Sequence, residues 1–105
     1  RTSISDNALV YALELAKKAL ILEPNNSAFL DTIGWIHYKK KDYNLALGFI
    51  KQSISIDSTN SIIMEHLGDI YIKMNDFENG LLSYRKAKKL SPENDVIQNK
   101  INKYE

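Results

Sequence analysis

Three observations predict an all-α fold built of repeated antiparallel helix hairpins. Residues 31–43, DTIGWIHYKKKDY, return 34 positions later as EHLGDIYIKMNDF over residues 65–77. Apolar side chains recur at the 3–4 residue spacing of a helix rather than the alternation of a strand. Short turns, EPNN, DSTN and SPEN, close successive units with residues that favour caps and breaks. The register pairs Gly34 with Gly68, Ile36 with Ile70, Lys39 with Lys73, Asp42 with Asp76 and Tyr43 with Phe77. It runs on through Ala46 and Gly80, and backwards through Ala12, Ala16 and Ala19. A self-similarity of this length is the signature of stacked repeat units.

Each element follows from its pattern, and together they make one domain over residues 1–105. Residues 7–22 read as a helix, and 7–26 as the second half of a repeat whose first helix precedes it. Its Leu9, Leu13 and Leu20 lack neighbours on that side, so fraying or self-association is expected there. In the full repeat 27–60, one helix over 28–40 carries Phe29, Leu30, Ile33, Ile36 and His37 on its apolar face. Its partner over 44–56 carries Leu45, Ala46, Phe49, Ile50, Ser53 and Ile54. The full repeat 61–94 places helices over 61–74 and 77–90. Residues 95–105 form a last helix with no partner, on which Val96, Ile97 and Ile101 cover the preceding hairpin. Asn99, Lys100, Asn102 and Lys103 face water, the polar cap that a stack of repeats needs. That places the sequence at the C-terminal end of a longer array; it opens on Arg1, not methionine.

Glycine inside a helix is unfavourable by about 1 kcal/mol relative to alanine, so Gly34 needs a reason. Gly34 and Ala46, like Gly68 and Gly80, fall on facing helices of one hairpin, where small residues let the backbones approach.

Composition excludes much. A chain that is 44% hydrophobic and 26% charged can build a core, and a net charge of +1 steers it toward neither nucleic acid nor anionic lipid. Without cysteine it has no disulfide, thiol nucleophile or thiolate metal site. No apolar run reaches the length of a membrane span. His37 sits among core positions, His66 has no second ligand at helical spacing, and no serine has a base at motif distance. The basic clusters Lys17–Lys18, Lys39–Lys41 and Arg85–Lys89 fall near helix C-termini, where cations offset the macrodipole. No catalytic residue, metal site or cofactor is predicted.

Paired helices in a 34-residue unit with these residues resemble tetratricopeptide repeats. The family pattern W-x2-L-G-x2-Y, A-x3-F and P appears as Leu30, Ile33, Gly34, His37, Ala46, Ile50 and Ser58. The next copy has Met64, Leu67, Gly68, Tyr71, Gly80, Tyr84, Ala87 and Pro92. The resemblance implies a right-handed superhelical solenoid whose first helices line a concave groove for a partner peptide or helix. Positions expected to face it are Ala28, Asp31, Trp35, Tyr38 and Lys39, with Ile62, Glu65, Asp69, Ile72 and Lys73 34 residues on. Trp35 and Tyr38 are expected as anchors, and Asp31, Glu65 and Asp69 favour a partner with basic residues beside an apolar one. Some family members clamp the C-terminal carboxylate of heat-shock chaperones with lysine, arginine and asparagine; Asp31, Glu65 and Asp69 on the corresponding face would repel it. The phrasing is also similar to the C-terminal repeats of bacterial tetratricopeptide proteins, several of them envelope-associated or lipoproteins, which leaves cytoplasm and envelope open. The expected function is a protein-interaction scaffold, with a structural C-terminal cap of a longer array as the alternative.

Overall fold

The computed structural model describes residues 4–105; the first three residues of the domain read from the sequence lie outside it. Six helices follow one another: α1 (Ile4–Leu22), α2 (Ser27–Lys39), α3 (Tyr43–Ile56), α4 (Ser61–Lys73), α5 (Phe77–Leu90) and α6 (Asp95–Tyr104). No strand occurs among the described residues. The helices form an all-α helical-repeat fold in which α2 pairs with α3 and α4 with α5. α1 leans on α2, and α6 closes over α5. α1 begins at Ile4, a turn earlier than its periodicity indicated.

The period is written into the helix ends. Asn26, Asn60 and Asn94, each 34 residues apart, cap α2, α4 and α6. Their side-chain oxygens accept from the N–H groups of Phe29 at 3.1 Å, Ile62 at 2.9 Å and Ile97 at 3.1 Å, satisfying donors that a helix start leaves free. The C-termini of α2 and α4 also match. The N–H of Asp42 donates to the His37 carbonyl, and that of Asp76 to the Tyr71 carbonyl, both at 2.9 Å. These six-residue closures put Lys41 (φ 66°) and Asn75 (φ 61°) in the left-handed region, as a Schellman ending requires.

The core is a chain of three local clusters. Leu13 and Ala16 of α1 meet Ile33 and Ile36 of α2, joined by Leu9, Leu20 and Phe49. Ala46 and Ile50 meet Ile63 and Ile70 in the middle. Met64, Tyr84 and Ala87 meet Ile97 and Ile101 at the end. Leu9, Leu13 and Leu20 therefore point inward, contrary to the expectation that they lost their neighbours. The exposed apolar side chains of α1 are Val10, Tyr11, Leu15, Ile21 and Leu22. Val96 is likewise exposed rather than covering the hairpin; Ile97 and Ile101 do that, with Tyr104 packed beside them.

The glycines show why the hairpins sit so close. A Cβ on Gly34 would lie 2.8 Å from Ile50 Cδ1 and 3.3 Å from the Ala46 carbonyl. One on Gly68 would run into the Tyr84 ring, and one on Gly80 would lie 2.6 Å from Ile72 Cδ1. Gly48, by contrast, has nothing within 4 Å of that position.

Candidate functional site

Side chains on the first helices tie α2 to α4 and α4 to α6, so the three stand as a row. Along that row lie all the residues expected to face a groove, but many of them grip one another. The Trp35 indole stacks on Tyr38 (centroids 4.4 Å apart) and on His66 of α4 (3.9 Å). The indole, still partly exposed, thereby joins two repeats. His66 also reaches back to Asp31, with Nδ1 and Oδ1 2.8 Å apart and both side chains largely buried. Nothing in the local spacing marked His66, because its partners lie a whole repeat away in sequence.

Lys100 departs furthest from its expectation. Instead of facing water it turns onto the row, donating to Glu65 Oε2 at 2.6 Å and to Asp69 Oδ1 at 3.0 Å. Burial pulls its pKa down, but hydrogen bonds and charge from Glu65 and Asp69 outweigh that and leave it raised. Asp69 also accepts from the Tyr84 hydroxyl at 2.5 Å. Burial first, and that hydrogen bond second, push the Tyr84 pKa far up, so the phenol stays a neutral donor. Glu65 and Asp69 thus share one ammonium, and the free acidic face expected from the sequence is largely satisfied from within.

Ile72 belongs to the packing as much as to the groove: its Cδ1 covers Gly80, and it packs against the terminal core cluster. Ile62, 58% exposed, is the open apolar side chain among the groove positions of α2 and α4. Lys39 and Lys73 are exposed at the C-terminal ends of α2 and α4.

At that end a cavity of about 260 Å³ opens between α2, α4 and α6. Tyr38 and Tyr104 line it, Lys73 and Lys103 lie beside them, and the Asp69–Lys100 pair, Ile72 and Tyr84 of α5 complete it. Burial, then the nearby Asp69 charge, raises the Tyr38 pKa, so its hydroxyl too is a donor at neutral pH. Elsewhere, His37 is buried against Phe49 at 5.6 Å between ring centroids, and its Nδ1 has no hydrogen-bond partner. Asp42 stands 3.8 Å from that nitrogen. Among the described residues no group of three or more His, Asp or Glu side chains could hold a metal ion. No helix there is long and apolar enough to cross a membrane.

Stacked helix hairpins with a row of first helices define a helical-repeat protein. The family model for the tetratricopeptide repeat matches residues 28–60 and 63–94, more than half of the chain, and the chain belongs to that family. No curated protein matches the sequence. Among solved structures, the first repeat domain of Spaghetti (RPAP3), bound to the HSP90 peptide SRMEEVD, superposes with a TM-score of 0.89 at 14% identity, over 95% of this chain and 79% of that one. A thermophilic repeat protein of Thermus thermophilus gives 0.87 at 18% identity, over 99% of this chain and 54% of the other. The Sgt2 repeat domain of Aspergillus fumigatus gives 0.86 at 16% identity, covering 96% and 68%. At these identities the likeness is one of fold.

Proposed function

We propose that this chain is a protein-interaction scaffold that takes a partner peptide or helix along the row formed by α2, α4 and α6. The observation that carries the reading is the cross-linking of that row. Trp35 stacked on His66, and Lys100 bonded to Glu65 and Asp69, hold three helices in register and keep the surface between them fixed. A surface ordered before its partner arrives loses less entropy on binding. The contact set is Asp31, Trp35, Tyr38, Lys39, Ile62, Glu65, Asp69, Ile72 and Lys73. Trp35 serves it chiefly as support, and Ile62 as the apolar contact. Near Asp31 and Glu65 a basic side chain next to an apolar one fits, since the three carboxylates Asp31, Glu65 and Asp69 along α2 and α4 face one lysine and one histidine. One solved neighbour holds the HSP90 peptide SRMEEVD, which supports peptide binding as a use of this architecture.

α6 favours a second reading, as the cap of a longer array. It buries Ile97 and Ile101 against the last hairpin and leaves Asn99 and Asn102 exposed. The two roles can coexist, because Lys100 belongs to the groove. Selection from a library of displayed random peptides separates them. The native chain should enrich a binding motif, and Ile62→Glu should lose it while keeping its helicity. No enrichment by the native chain would leave the cap alone.

A further inference from the structure

We infer that the cavity between α2, α4 and α6 is a socket for an acidic side chain of the bound peptide. The inference rests on the groove reading above and adds the chemistry of one end of it.

The cavity presents donors. Among the described residues no protein group bonds the hydroxyl of Tyr38 or Tyr104, and no carboxylate pairs with Lys73 or Lys103. Three ammonium groups line the cavity against a single carboxylate, Asp69. That carboxylate is already engaged by the Tyr84 hydroxyl at 2.5 Å and by Lys100 at 3.0 and 3.2 Å. An arriving carboxylate can therefore accept from the tyrosine hydroxyls and from ammonium groups without displacing an existing pair. Aromatic walls lower the local dielectric and strengthen such bonds relative to open water. Toward the N-terminal ends of α2 and α4, Asp31 and Glu65 repel the same group. Charge thus changes sign along these helices, which steers an acidic side chain to the cavity and away from the Asp31–Glu65 side.

The test uses fluorescein-labelled octapeptides with acetylated or amidated ends, in three pools. One alternates Asp and Glu with Leu and Ile, one substitutes Lys and Arg for the acids, and one substitutes Gln. A fourth pool carries no acidic side chain but has a free C-terminal carboxylate. Fluorescence anisotropy should show the acidic pool bound at least tenfold more tightly than the Gln pool. A Lys73→Gln, Lys103→Gln double variant, at exposed positions and with unchanged circular dichroism, should erase that preference. Acidic peptides bound equally by both proteins would overturn the socket, as would a preference for the basic or Gln pool; either leaves the groove intact. A preference confined to the fourth pool would assign the donors to a chain terminus and overturn the side-chain socket. Binding of no pool by the native chain would overturn both readings.

Discussion

The same substitution at two glycines should move stability in opposite directions. Replacing Gly68 with alanine puts a methyl group 2.5 Å from Cδ1 and 3.1 Å from Cζ of Tyr84, a ring that is 2% exposed and held at its hydroxyl by Asp69. The helix gains about 1 kcal/mol of propensity. Against it stand overpacking of about 1–3 kcal/mol and, once the ring shifts, a weakened hydrogen bond to a charged acceptor worth about 1.5–3 kcal/mol. The net loss is about 2–4 kcal/mol, or roughly 10–20 °C in Tm for a domain of this size. Gly48→Ala meets nothing within 4 Å and keeps only the gain. It should stabilise by about 1 kcal/mol. Urea titrations followed by circular dichroism at 222 nm measure both. A Gly68→Ala variant as stable as the native chain, or a Gly48→Ala variant less stable, would refute close helix approach as the reason for Gly68.

Lys41 holds a left-handed conformation that Asn75 holds in the next repeat, so Lys41→Gly should stabilise by about 1 kcal/mol, seen as a higher urea midpoint. Lys100→Gln leaves Glu65 and Asp69 side by side without their cation and should lower stability by about 1–2 kcal/mol at pH 7. The folded-state pKa of Lys100 is raised, so its contribution is present throughout the neutral range and is lost only as pH climbs past 10.5 through the folded value. His37 behaves in the opposite sense. Burial, with help from Lys40, lowers its pKa from the ordinary 6.5, so protonation favours the unfolded chain. The stability of the neutral form is whole above pH 6.5 and declines as pH falls through the folded value. Stability of the native chain relative to His37→Tyr, by urea titration from pH 8 to 5, should therefore decrease toward acid; a flat difference would contradict that sign.

The hairpins were legible because each repeats its own boundaries. Asn26, Asn60 and Asn94 mark the helix starts, and Gly34 and Gly68 mark the close approach, all within reach of local spacing. What the sequence hid were contacts made across repeats. Asp31 meets His66, and Lys100 meets Glu65, each 35 residues apart, beyond any helical period. Lys100 could be read only as a polar residue on a terminal helix, since nothing local distinguishes a lysine facing water from one turned onto a neighbour's carboxylates. The α1 face was misread for a similar reason. Leu9, Leu13 and Leu20 share the helix with Val10, Leu15 and Leu22, and only the position of α2 decides which set is buried. The left-handed Lys41 was equally silent, because its conformation is imposed by the Schellman closure rather than by lysine itself.

The central claim is that the row of first helices is the binding surface. The most direct measurement is a nitrogen-15 chemical-shift titration of the native chain with a peptide selected on it. Perturbed amides should cluster on α2, α4 and α6 around Asp31, Ile62, Glu65 and Lys73, with α3 and α5 largely unmoved on their outer sides. Perturbations centred instead on the exposed apolar residues of α1, or around Leu45 and Gly48 on α3, would contradict the claim.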